Sequence, residues 1–147
     1  MLVQIGLGLD HIHTDLNITH RELKPANILL FPGNIIKIAD FGISKEHDEK
    51  TIFVSTKGYA SPEIILLEAR GKVKPYMQDI YSLGLVACEM MASEFPDRTD
   101  VVNKDIKFNE AYTLGIINLV YSMLKTDPAQ RPTITELLEH KLLSGEV

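Results

Sequence analysis

Cysteine is nearly absent: Cys88 is the only one in 147 residues. No internal disulfide can form, and a reducing compartment is the simplest inference. Cys88 lies in an apolar run and reads as a small buried hydrophobe rather than a reactive thiol. A basic excess is missing too. Fifteen Lys and Arg face twenty Asp and Glu, a formal net charge of -5, which supplies none of the positive field that binding to nucleic acid requires. No apolar run is long enough for a membrane. MLVQIGLGLDHIH has no basic region ahead of it and is interrupted by Gln4 and Asp10, so it makes a poor signal peptide. The later run over 83–92 contains Glu89 and falls short of a span. The expectation is a soluble, intracellular, cytoplasmic chain with neither nucleic acid nor membrane as partner. Internal repeats and low-complexity segments are also lacking. At this length and 45% hydrophobic content, the chain can bury one sizeable core and reads as a single domain.

What is present is mostly helical pattern. Leu2, Ile5, Leu9, Ile12 and Leu16 recur at helical spacing and predict a first helix over 2–14 with one face on a core. Residues 28–31 and 35–38 are short Ile- and Leu-rich runs around Pro32-Gly33-Asn34, the signature of a β-hairpin. Residues 42–59 are charged without apolar period and predict a long loop, with 45–50 as a solvated face. Ser61-Pro62-Glu63 orders a capping hydroxyl, a first-turn proline and an early carboxylate as a helix start requires, and that helix should end near Arg70-Gly71. Residues 79–92 are apolar nearly all round, which predicts a helix in the middle of the domain. Residues 93–110 look irregular, 111–125 amphipathic, and Thr133-Ile134-Thr135-Glu136 matches a capping box opening a last helix to about His140.

Between the first helix and the loop, HRELKPANILLFPGNIIKIADFG sets Glu22, Lys24, Asn27 and Asp40 around the hairpin. A hairpin with polar residues before and after it can aim several side chains at one point. Phosphoryl transfer needs that convergence: a carboxylate to orient a hydroxyl, a cation for the moving phosphate, and hard oxygen ligands for Mg²⁺. By residue type Glu22 suits the first role, Lys24 the second, Asn27 and Asp40 the third.

At these residues the chain resembles the protein kinases. His20 to Asn27 is similar to their catalytic loop, and Asp40-Phe41-Gly42 to their metal-binding motif, thirteen residues after Asn27. Ala60-Ser61-Pro62-Glu63 resembles the Ala-Pro-Glu motif, Asp79 to Gly84 the Asp-x-Trp-Ser-x-Gly helix, and Arg131 sits in a late Asp-Pro-x-x-Arg-Pro. Lys24-Pro25, and Thr56 ahead of Gly58-Tyr59, resemble the serine/threonine branch. The resemblance implies a mainly α, kinase-like C-terminal lobe with a small β-hairpin region, a partial kinase domain over 1–147, and ATP and Mg²⁺ as cofactors. It further implies Glu22 and Lys24 as catalytic, Lys24, Asn27 and Asp40 at the nucleotide, and Asn27 and Asp40 at the metal. His20 would be structural, bonding near Asp40-Phe41-Gly42, and Glu63 and Arg131 would form an internal ion pair. Arg21 would receive a phosphate on the activation loop, whose hydroxyls are Thr51, Ser55 and Thr56, with Thr56 matching a contact to the catalytic loop.

Three departures stand out. The small N-terminal lobe, with its glycine-rich loop, strand lysine and helix glutamate, is not among these residues. Glu22 replaces the family's Asp, and a carboxylate misplaced by roughly 1 Å can cost on the order of 100-fold in rate. The segment between Asp79 and Arg131 reads as short and weakly helical where the family carries a docking helix. Three functions follow: the catalytic lobe of a serine/threonine kinase acting on protein hydroxyls, a pseudokinase-like binding scaffold, or an inactive truncated fragment. A small lobe or a partner protein would cover the apolar top of the lobe.

Overall fold

The computed structural model describes residues 1–42, 44–46, 58–66, 74–92 and 94–144. Thr51, Ser55 and Thr56 lie outside them, as does the helix end expected near Arg70-Gly71.

Helix α1 spans Leu2–Asp10 and buries Ile5 and Leu9 completely. It does not stop there but widens into a π turn, His11–Asp15, closed by the Leu16 N–H donating to His11 O at 3.2 Å. The wider turn brings Ile12 and His13 inward, where both are buried. The expected hairpin forms with the expected ends: β2 (Ile28–Phe31) pairs antiparallel with β3 (Ile35–Ile38), Phe31 opposite Ile35 and Ile28 opposite Ile38. Its turn needs two left-handed residues, and Gly33 (φ 82°) and Asn34 (φ 60°) are types that adopt that conformation at little cost. The hairpin lies on α1 at Gly8, where a Cβ would stand 3.2 Å from Ile38 Cδ1.

Two strands were not expected. Ile18–Thr19 (β1) pairs antiparallel with Lys45–Glu46 (β4), inside the stretch read as loop. Two-residue strands carry no periodicity for a sequence to display.

Helix α2 (Pro62–Leu66) begins where the Ser-Pro-Glu signal put it, but the hydroxyl does not cap it. Ser61 Oγ is buried and takes no hydrogen bond among the described residues, and the Ser61 carbonyl instead accepts Ile64 N and Ile65 N. Helix α3 (Met77–Met91) is the axis of the domain: among its residues only Glu89 and Met90 are exposed. Against it packs α5 (Leu114–Met123, capped by Thr113), while α6 (Ile134–Glu139) packs on α1, and the four helices share a core with Ile80, Leu83, Val120 and Leu137 among its most enclosed residues.

The reading of 93–110 as irregular is corrected by α4, Arg98–Asn103. Asp97 and Asp100 form a reciprocal capping box there, Asp100 N donating to Asp97 Oδ1 at 2.9 Å and Asp97 N to Asp100 Oδ2 at 3.0 Å. An Asp at both positions is a weaker sequence signal than the Ser/Thr-x-x-Glu pattern, which is why the helix was hidden. With α4 and α5 in place, the segment between Asp79 and Arg131 is more helical than expected. The capping box at Thr133 and Glu136 forms as read, but its helix is not the last: α7, Lys141–Ser144, follows. The fold is mainly helical with two small two-stranded sheets, and no helix among the described residues is long and apolar enough to cross a membrane.

Candidate functional site

The segment 20–27 runs across the first turn of α3, and one buried carboxylate shapes it. Asp79, with no exposed surface, accepts His20 N at 2.7 Å and Arg21 N at 2.8 Å, and a third bond comes from His13 Nε2 at 2.8 Å. Arg21 is left-handed (φ 73°), a conformation costing a side-chain-bearing residue roughly 1–2 kcal/mol. Two charge-assisted bonds from successive backbone amides are enough to hold it. Leu23, 1% exposed, plugs the same segment into the core. Glu22 and Lys24 therefore project from a loop fixed on both sides.

Their charges meet: Lys24 Nζ donates to Glu22 Oε1 at 2.6 Å, both side chains about one-fifth exposed. Asn27 Nδ2 donates to the Glu22 carbonyl at 2.8 Å, which orients the amide and leaves its oxygen as a donor atom for a cation. The Asn27 carbonyl accepts Ala39 N at 2.9 Å, so Asp40 is brought beside Asn27 across the hairpin's open end. Asp40 is exposed, also left-handed (φ 64°), and its Oδ1 accepts Gly42 N at 3.2 Å.

His20 is fully buried with both ring nitrogens engaged. A carbonyl can only accept, so Nε2 donates to Ala39 O at 3.0 Å, and Nδ1 accepts the Glu22 N–H at 3.2 Å. Its ring meets Phe41 edge-on at 5.0 Å. Both nitrogens are thus occupied by backbone partners, one a carbonyl and one an N–H. Ser44 Oγ adds a bond to His20 O at 3.2 Å.

Behind this site Arg131 and Glu63 form a two-pronged ion pair, Nη1 to Oε1 at 2.7 Å and Nη2 to Oε2 at 2.6 Å, with Arg131 stacked 4.9 Å over the Tyr81 ring. The 58–61 stretch is tied down as well. Ser82 Oγ donates to Tyr59 O at 2.8 Å, Arg98 Nη2 to Ala60 O at 2.8 Å, and the Tyr59 hydroxyl to the Glu89 carboxylate. Burial first, and that bonded carboxylate second, push the Tyr59 phenol well above its usual range.

Of the residues picked from sequence, the fold brings Glu22, Lys24, Asn27, Asp40, His20, Phe41 and Gly42 to one end of the hairpin. Arg21 is buried beside them, Asp79 anchors them, Glu63 and Arg131 stand apart, and Thr56 lies outside the described residues. Sequence reasoning missed His13 and Gln4. Gln4 sits on α1 and His13 in the π turn that follows it, at positions that periodicity assigns only to a helix face, and no local signal marks their long-range bonds.

Among the described residues no three His, Cys, Asp or Glu side chains cluster as a metal site. Asn27 Oδ1 and the Asp40 carboxylate, from the two residues the resemblance points to, are both hard oxygens. Two such donors fit Mg²⁺, which keeps waters and draws its other ligands from phosphate oxygens.

The sequence matches the family described as the protein kinase domain over residues 1–143. It is 34% identical to a serine/threonine-protein kinase, dst2, of Dictyostelium discoideum, over 94% of this chain and 13% of that protein. It is 35% identical to a calcium/calmodulin-dependent protein kinase, cmkA, of Emericella nidulans, over 97% of this chain and 38% of that one. A third relative, serine/threonine-protein kinase Nek6 of Oryza sativa subsp. japonica, is 35% identical over 95% of this chain and 27% of its own. The chain thus spans well under half the length of these curated relatives. A loop over 20–27 held by Asp79, the Glu63–Arg131 pair and a match over nearly the whole length agree: this chain belongs to the protein kinase domain family, in its serine/threonine branch.

Proposed function

We propose that the chain is the catalytic lobe of a serine/threonine protein kinase, passing the γ-phosphoryl group of ATP to protein Ser or Thr hydroxyls when a nucleotide-gripping small lobe faces it. The observation that carries the reading is the Asp79 grip on His20 and Arg21, which presents Glu22 and Lys24 from a rigid loop next to Asn27 and Asp40. Such preorganisation is what phosphoryl transfer demands, because catalysis there is mostly positioning and electrostatics. Mg²⁺ with ATP, when bound, supplies the transferable group and neutralises charge on its phosphates. The residues supply the rest. Asn27 Oδ1 and Asp40 offer the metal two oxygens. Glu22 accepts a hydrogen bond from the substrate hydroxyl and orients it, and Lys24, already 2.6 Å from Glu22, places its cation where phosphate charge develops. Arg21 offers a buried positive charge toward a phosphorylated segment. A scaffold role is favoured by one observation, Glu22 itself, whose extra methylene carries the carboxylate past the position an Asp would hold.

The test is phosphate transfer from labelled ATP to a generic protein substrate, with Asp40→Ala as the blank. The isolated chain and its Glu22→Asp variant should both be inactive, because neither the glycine-rich loop nor the phosphate-binding lysine is among these residues. Joined to a small lobe from a related kinase, the chain should bind ATP, and Glu22→Asp should then raise turnover roughly 10-fold to 100-fold. Strong transfer by the isolated chain, lost in Asp40→Ala, would overturn the dependence on a small lobe. A joined protein that binds ATP yet stays inert with Glu22→Asp would replace the enzyme reading with the scaffold.

A further inference from the structure

The two proposed metal donors sit at the open end of the β2–β3 hairpin, Asn27 just before β2 and Asp40 two residues after β3. Their spacing therefore depends on the register of that hairpin. A slip of one residue would exchange the faces of every side chain and pull Ala39 N away from Asn27 O. Among the described residues β2 and β3 pair only with each other, so no third strand fixes their register, and Ile28, Ile36 and Ile38 on the inner face hold the hairpin against the core. Leu29, Phe31 and Ile35, on one face of it, are exposed, so packing on that face does not set the register within this chain.

At the turn end, Gln4 of α1 does what a neighbouring strand would do. Its Nε2 donates to Asn34 O at 3.0 Å and its Oε1 accepts Ile36 N at 2.9 Å. A carbonyl and an N–H two residues apart on one strand edge are the groups a third strand would engage, and one primary amide satisfies both. We propose that Gln4 is a positioning residue: its side-chain amide pins the hairpin register at the turn and so sets the spacing of Asn27 and Asp40 at the opposite end. The inference rests on reading those two residues as metal donors. No other side chain offers this geometry conservatively. Glutamate keeps the bond from Ile36 N but sets a carboxylate against the Asn34 carbonyl, asparagine is a methylene too short, and methionine keeps the length and loses both bonds.

The test is amide hydrogen exchange on the 147-residue chain and its Gln4→Met and Gln4→Glu variants, read at Ile36, at Ala39 and, as a core reference, at Val86 in α3. Gln4→Met should speed exchange about tenfold at both Ile36 and Ala39 while Val86 is unchanged, with Gln4→Glu intermediate. Acceleration at Ile36 alone would overturn the proposal, since the turn would then not govern the site. Equal acceleration at all three would overturn it as well, by reducing Gln4 to general stability. A second readout uses the chain joined to a small lobe and its Gln4→Met variant, adds Mn²⁺ with ATP and follows paramagnetic broadening. In the joined parent the signals of Asn27 and Asp40 should broaden, and Gln4→Met should weaken that Mn²⁺–ATP affinity roughly tenfold. Broadening absent from both residues in the joined parent would remove the metal reading, while Ile36 and Ala39 exchange would still decide whether Gln4 sets the register.

Discussion

A guanidinium with no exposed surface must have every donor answered, and all five N–H groups of Arg131 are. Nε reaches Lys125 O at 2.8 Å, Nη1 reaches Glu63 and Met77 O, and Nη2 reaches Glu63 and Thr126 O. Three of those acceptors are backbone carbonyls, Met77 at the start of α3 and the adjacent Lys125 and Thr126 after α5, so with Glu63 of α2 the residue joins three segments at one point. Removing it would strand the Glu63 carboxylate and those carbonyls together. Arg131→Leu should therefore lower unfolding free energy by about 3–5 kcal/mol in urea titrations. Arg131→Leu with Glu63→Leu should recover part of that loss, because an apolar pair leaves no uncompensated charge. Lysine is no substitute here: with three donors on a point charge it cannot hold the fork and the carbonyls at once.

Between elements, the contact of α3 with α5 turns on Gly84. A Cβ built there would stand 2.8 Å from Leu124 Cδ2 and 3.0 Å from Met123 Cβ, so the helices meet where only a hydrogen fits. Helix propensity alone would reward Gly84→Ala by up to about 1 kcal/mol, whereas forcing two packed helices apart costs typically 1–3 kcal/mol. The second effect should win. Gly84→Ala is expected to lower Tm in thermal unfolding, and a rise would show that Leu124 can move aside. Much of this architecture was legible beforehand. The hairpin ends, the buried α3 and the box at Thr133 all carry local, periodic or capping signals. What was not legible shares one property, that its cause lies elsewhere in the chain. β1 and β4 exist only through each other, and His13 enters the core only through a π turn that meets Asp79. The Ser61 hydroxyl was read as a cap from its neighbours, yet burial in the finished fold gave the role to its carbonyl. The candidate site was more legible than its supports, since Glu22, Lys24, Asn27 and Asp40 lie within one short stretch while Asp79 and Gln4 reach them from afar.

The molecule as a whole carries a built-in reporter of its integrity. Burial alone pushes the Cys88 thiol from its ordinary 9.0 up to about 12. Near pH 7 only roughly one thiol in 10⁵ would be ionised, so iodoacetamide should react with the native chain only through opening of the domain. The alkylation rate should climb with urea along the unfolding curve, and a native rate like that of a free thiol would contradict the enclosed core. The sign of the linked pH effect follows. A folded value above the unfolded one favours the folded state fully below about pH 9 and loses that contribution as pH rises toward 12.

Asp79 has a consequence on another axis, that of time. Its partners His20 and Arg21 lie 59 and 58 residues earlier in the chain, and contacts of that separation close late, after the local turns, helices and hairpins are made. A chain caught with α1 and the hairpin formed but α3 still undocked holds every polar residue of the 20–42 stretch, yet Arg21 has nothing to keep it left-handed. The loop therefore acquires its shape in the same step that completes the core, and a half-folded molecule lacks the fixed geometry of the 20–27 stretch.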